Sequence, residues 1–180
     1  MKIQASLHLN NLQKNLIIYP HLNETPDHMA LKLAAALLFD SHDPLMAPSP
    51  QHPALLGQEF VPDLMAVDDV PQVTLWVECE KTTSHKLSKV SRRFRSARVE
   101  VFTVLPREGK QMVEIIEREK IDGIGVLSFG EGEFQRWRRL VLERNEIIGE
   151  ASEDSLNLVI NDQVFVTDFV RIRAGLRRGA

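Results

Sequence analysis

Hydrophobic and polar positions along the chain follow two rhythms, a period of two and a period between three and four, and their order predicts the elements. "KIQASLHLNN" sets Ile3, Ala5, Leu7 and Leu9 against Lys2, Gln4, Ser6 and His8, the alternation of a half-buried strand. Asn10-Asn11 is a turn signal, and "NLIIYP" reads as a second strand, so the chain opens with a hairpin. In "NETPDHMALKLAAALLFD", Asn23 and Thr25 are cap-type residues, Pro26 suits a first helical turn and Asp27 suits the positive helix end. Met29, Leu33 and Leu37 recur at helical spacing, which predicts a buried helix whose polar side carries Glu24, His28 and Lys32, four residues apart.

"SHDPLMAPSPQHPALLG" holds Pro44, Pro48, Pro50 and Pro53 and has neither rhythm, so it reads as a long loop. "EFVPDLMAV" and "QVTLWVECE", joined through Asp68-Asp69, predict two antiparallel strands, and Leu87, Val90, Phe94 and Ala97 make one helical stripe after them. Strand "VEVFTVL", helix "KQMVEIIEREK", strand "GIGVLSF" and helix "EFQRWRRLVLE" then alternate. "SLNLVI" and "QVFVTD" close the chain as a hairpin around Asn161-Asp162, before a basic, frayed tail "RIRAGLRRGA". The expected architecture is a mixed α/β (α+β) domain spanning 1–180, a mixed central sheet flanked by helices with N- and C-terminal hairpins.

Composition narrows the chemistry. With 180 residues, 43% of them hydrophobic, one core suffices, and a net charge of −3 excludes an overall basic protein. The single cysteine, Cys79, excludes an internal disulfide framework or a multi-cysteine zinc site, and the six histidines have no metal spacing. The N-terminus has no apolar signal-like region, and the greasiest stretch, "MALKLAAALLF", is short and interrupted by Lys32, so a cytoplasmic soluble protein is expected.

The stretch "LWVECEK" carries the candidate chemistry. Strand alternation puts Val73, Leu75, Val77 and Cys79 on one face and Thr74, Trp76, Glu78 and Glu80 on the other. Two carboxylates about 7 Å apart on one strand face repel each other unless a cation lies between or beside them. Mg²⁺, or Mn²⁺, prefers oxygen ligands of this kind, and antiparallel pairing could bring Asp63 beside Glu78, with Lys81 next in line to hold a phosphate or an attacking water.

Pro62-Asp63 followed by Glu78-Cys79-Glu80-Lys81 resembles the PD-(D/E)XK phosphodiesterase pattern, with an acidic residue in the usual lysine place. "HLNET" with the helix it starts, from His21 to Ala35, resembles the helix start of the YaeQ-like bacterial proteins. "LWVECEKTTSHKLSKVSRR" and "SLNLVINDQVFVTD" are similar to that family's Trp-Ile-Glu strand with its basic helix and to its terminal hairpin. The resemblance implies a restriction-endonuclease-like fold with a metal site bounded by Glu24, Asp63 and Glu78, and metal-dependent hydrolysis of nucleic-acid phosphodiesters. Glu80 or Lys81 would orient the water. Leu22-Asn23, the proline-rich loop and Glu80-Lys81 depart from the family's usual residues.

From Lys81 to Arg98 there are seven Lys/Arg and no Asp/Glu, and Lys86, Lys89 and Arg93, with Arg92 beside them, could follow the phosphates of DNA or RNA. Plain alternatives stand beside each reading. Glu78 and Glu80 could be solubilising charges on an exposed edge strand, Asp63 a turn residue, Glu24 helix-start electrostatics and the basic helix a solvated face. Trp76 and Trp137 read as packing residues, Cys79 as a small buried hydrophobe, the glycines of "DGIGVLSFGEG" as turns, and His21 and His28 as structural. The alternative function is a catalytically inactive nucleic-acid-binding or protein-interaction domain on the same fold.

Overall fold

The buried helix forms as its sequence requires. In the computed structural model, which describes residues 2–172, α1 (Pro26–Leu38) starts where the Thr25 hydroxyl accepts the His28 backbone N–H, with Pro26 in the first turn. Every residue from Met29 to Leu38 is buried, so no face of the helix beyond its first turn reaches water. The reason is its place between two sheets. The small Ala30, Ala34, Ala35 and Ala36 let α1 pack against strands of both layers at once.

Among the described residues the fold is mixed α+β, with two mixed sheets and four α-helices. The first sheet contains β1 (Ile3–Leu9), β2 (Leu12–Ile18), β8 (Arg144–Ala151), β9 (Ser155–Ile160) and β10 (Gln163–Asp168), in the order β10-β9-β8-β1-β2. The second contains β3 (Leu45–Met46), β4 (Leu64–Val67), β5 (Val73–Cys79), β6 (Arg98–Thr103), β7 (Ile124–Ser128) and β11 (Val170–Ile172), in the order β11-β7-β6-β5-β4-β3. Strands β5, β6 and β7 run parallel, linked through α2 (Ser84–Arg93) and α3 (Pro106–Arg118); β3, β4 and β11 pair antiparallel. The last helix, α4 (Glu133–Leu140), packs on α1, and its Trp137 donates to the Ala30 carbonyl at 2.8 Å.

Both expected hairpins form, around Asn10-Asn11 and Asn161-Asp162, whose left-handed φ values suit tight turns. They are not separate flanks. Strand β8, to which the hydrophobic pattern after "EFQRWRRLVLE" does not point, runs parallel to β1 and antiparallel to β9 and joins the two hairpins into one sheet. Helix α3 begins at Pro106 rather than at Lys110, because the proline fixes the first-turn geometry and the Glu108 carboxylate accepts the Leu105 N–H. Arg171 and Ile172, expected in a frayed tail, belong to β11 and pair with β7; the rest of that tail lies outside the described residues. The proline-rich loop contributes β3 and buries Leu55.

Strand β5 is interior, flanked by β4 and β6, so the edge-strand alternative for Glu78 and Glu80 does not hold. Leu75, Val77 and Cys79 face the core around α1, while Trp76, fully buried, faces the opposite side and stacks on Phe94 with ring centroids 5.4 Å apart. The packing role of both tryptophans and the burial of Cys79 agree with expectation. No helix among the described residues is long and apolar enough to cross a membrane.

Candidate functional site

The polar flank of α1 faces the end of the β4–β5 ladder. Asp63 sits immediately before β4; its N–H binds the Val77 carbonyl, and its Oδ2 accepts the Cys79 N–H at 2.8 Å. Those two bonds fix the carboxylate and aim Oδ1 at α1, where Lys32 Nζ lies 3.4 Å away and His28 Nε2 3.2 Å away. Glu24, in the turn before the helix, accepts the His21 N–H at 2.9 Å and the Lys32 ammonium at 2.8 Å, and its Oε1 is 3.6 Å from His28 Nε2. Glu80 completes the ring, with Oε2 3.4 Å from His28 Nδ1.

Among the described residues, Glu24, His28 and Asp63 are the one group of three or more potential Asp, Glu, His or Cys ligands, with a ligand atom of each lying within 4.8 Å of the others. Two oxygens and a nitrogen so spaced fit a single divalent ion, and the nitrogen moves the preference from Mg²⁺ toward Mn²⁺. The same atoms are engaged by the protein's own cations. Lys32 is wholly buried; burial alone would lower its pKa, but the bonds to Glu24 and the charge of Asp63 raise it, so it is an ammonium ion. Burial also works against the charge on His28, yet the hydrogen bonds to Asp63 and Glu80 outweigh it and push its pKa up to about 9. For Asp63 and Glu24 burial opposes ionisation, and hydrogen bonds to His28 and the Cys79 N–H, and to Lys32 and the His21 N–H respectively, overcome it and lower both pKa values.

Of the expected metal ligands, Glu24 and Asp63 come together; Glu78 does not join them. It lies on the α2 side of β5, where Trp76 Nε1 donates to it at 2.6 Å and Lys86 Nζ at 2.7 Å. Burial raises its pKa despite the Lys86 charge. The expectation that Glu78 and Glu80 point the same way fails because Glu80 adopts a left-handed φ of 65°, which ends the strand alternation and turns its side chain to His28 on α1. Lys81 is exposed and lines an adjoining cleft.

The basic stripe on α2 reaches toward the loop that precedes β4. Lys86 also donates to the Val61 carbonyl, Lys89 pairs with Glu59 at 2.5 Å and Arg93 donates to the Leu56 carbonyl, so three of the four expected phosphate contacts already have partners within the chain; Arg92 lines a separate pocket. Two residues of the candidate site, His28 and Lys32, are not among those whose type and local pattern suggest a function in the sequence. Their spacing with Glu24 on an otherwise apolar helix was the available signal, since a lysine that interrupts such a stripe needs a buried counter-charge.

The two sheets around a buried helix define a YaeQ-type α+β fold. The structure matches that of the YaeQ protein from Xanthomonas axonopodis pv. citri with a TM-score of 0.67 at 15% sequence identity, covering 96% of this chain and 98% of that one. It matches the YaeQ protein from Pseudomonas syringae with a TM-score of 0.70 at 12% identity, covering 96% and 94%. No family model and no curated protein matches the sequence.

Proposed function

We propose that this chain is a divalent-metal-dependent phosphodiesterase acting on nucleic acid, with Glu24, Asp63 and His28 as metal ligands. The observation that carries the reading is the convergence of those three side chains, from the start of α1 and the end of the β4–β5 ladder, on one point. When bound there, a Mn²⁺ or Mg²⁺ ion would supply Lewis acidity and a water of lowered pKa. Because His28 is protonated in its present surroundings, a ligand role requires it to release that proton. The buried Lys32 ammonium stays within reach of the Glu24 and Asp63 carboxylates and offsets their charge, so that an anionic phosphodiester is not repelled. It takes the part that a lysine at position 80 would have in the PD-(D/E)XK pattern. Glu80, partly exposed beside His28, would orient the water and take its proton as oxygen adds to phosphorus, the P–O bond to the leaving oxygen breaking and that oxygen taking a proton from solvent.

The test is incubation of plasmid, single-stranded DNA and RNA with Mn²⁺ or Mg²⁺, comparing the wild type with Asp63→Ala. Divalent-dependent cutting lost by at least about a hundredfold in the variant is the expected result. A second reading, the inactive binding domain, is favoured by the pairing of Asp63 with His28 and of Glu24 with Lys32, which already engages the two carboxylates a metal would need. Absence of cutting on every substrate, together with no ion-specific rise in melting temperature, would select it.

A further inference from the structure

Behind the site, on the α2 side of β5, lies a charge pair that the proposed reaction does not use. Glu78 is buried, and the ammonium of half-buried Lys86 stands 2.7 Å from it, 5.9 and 6.0 Å from the ring centres of Phe60 and Trp76. A buried ion pair adds little net stability over apolar side chains of the same size, so the feature to explain is where the ammonium's other bond goes. It goes to the Val61 carbonyl, at 3.0 Å.

Val61 stands two residues before Asp63, and Pro62 between them has a φ fixed by its ring, so a displacement of the Val61 carbonyl passes on to Asp63. The backbone of Asp63 is held from two other directions. Its N–H binds the Val77 carbonyl at 3.1 Å, and its carbonyl accepts the Ala47 N–H at 2.7 Å. Ala47 makes that bond at a left-handed φ of 41°, which a residue with a Cβ seldom adopts, so this segment is kept in place against a local cost. Bonds from β5, from the residue after β3 and from α2 thus converge on residues 61 to 63, and the α2 bond meets the segment as it leaves the proline-rich loop. We propose that Lys86, oriented by Glu78, is a positioning residue that seats Val61-Pro62 on the β5–α2 unit and so keeps the Asp63 carboxylate aimed at α1. Groups that orient a metal ligand typically govern affinity by about tenfold to a hundredfold. That consequence rests on the ligand set proposed above; the placement of Asp63 does not.

The test pairs Lys86→Met with Glu78→Gln, which strands no charge, and compares the double variant with Glu78→Gln alone, where the Lys86 bond to Val61 remains. Amide hydrogen exchange in EDTA reads the Cys79 N–H, which the Asp63 carboxylate accepts. In the double variant that amide should exchange at least about tenfold faster while the Leu75 amide, deeper in β5, keeps its rate and the melting temperature stays within about 5 °C. Mn²⁺ titration followed by electron paramagnetic resonance should show affinity at least about tenfold weaker than in Glu78→Gln. Cys79 exchange or Mn²⁺ affinity equal in the two variants overturns the proposal, and so does a double variant that melts far lower with all β5 amides exposed together, which is a purely structural role. Faster Cys79 exchange with no Mn²⁺ bound by any of the proteins keeps the positioning and sinks the metal-dependent reading.

Discussion

Lys32→Met removes the one positive charge that is wholly buried in the site and keeps most of the side chain's volume. The ammonium lies 2.8 Å from Glu24 and 3.4 Å from Asp63, so at an effective dielectric constant near 20 the attractions are about 6 and about 5 kcal/mol. Several kcal/mol of lysine desolvation oppose them, and the net loss on deleting one partner of such a group is about 3–5 kcal/mol. In a chain of 180 residues that lowers the melting temperature by roughly 6–20 °C. Urea unfolding followed by tryptophan fluorescence in EDTA measures it, and adding Asp63→Asn to the variant should recover at least about 1 kcal/mol by removing the stranded charge. Mn²⁺ should stabilise Lys32→Met more than the wild type, since a dication replaces the missing ammonium. A Lys32→Met protein within about 1 kcal/mol of the wild type would refute the claim that this lysine neutralises the carboxylates.

Three further outcomes are expected. The surroundings of His28 push its pKa up from the ordinary 6.5 to about 9, so its contribution is complete below pH 6.5 and disappears as pH rises through 9. That rise corresponds to about 3 kcal/mol, reduced to on the order of 1–2 by solvent at the open side of the site, and urea unfolding of metal-free wild type and His28→Gln at the two ends of the window should differ in slope accordingly. Glu78→Gln should change stability by about 1 kcal/mol or less and keep any Mn²⁺-induced rise in melting temperature, whereas Asp63→Asn should lose that rise; the opposite pattern would restore Glu78 as a ligand. Gly149 has φ of 146° and an added Cβ would stand 2.2 Å from the Asn157 backbone oxygen, so Gly149→Ala should destabilise the β8–β9 pair by more than about 2 kcal/mol in the same assay.

Local pattern was enough for what neighbouring residues decide: the hairpin turns at Asn10-Asn11 and Asn161-Asp162, the Thr25 cap and Pro26 start of α1, and the alternation along β1 and β5. It also marked Glu24 and Asp63, because an acidic residue at a helix start and one after Pro62 before a strand are legible as such. Four features were decided by the tertiary structure instead. Strand β8 lacks strong alternation, with Ile147 and Ile148 adjacent, and becomes a strand by pairing with β1 from the other end of the molecule. The direction of Glu80 was set by one left-handed φ, and the assignment of Glu78 by Lys86 arriving from α2. Lys32 reads in the sequence as a polar interruption of an apolar helix; it lies at the centre of the candidate site because two sheets close over α1 and bring Glu24 and Asp63 to its ammonium. Residue type and spacing determine which faces seek burial, whereas the charge that meets a charge is decided by long-range packing, and in this protein that packing formed the site.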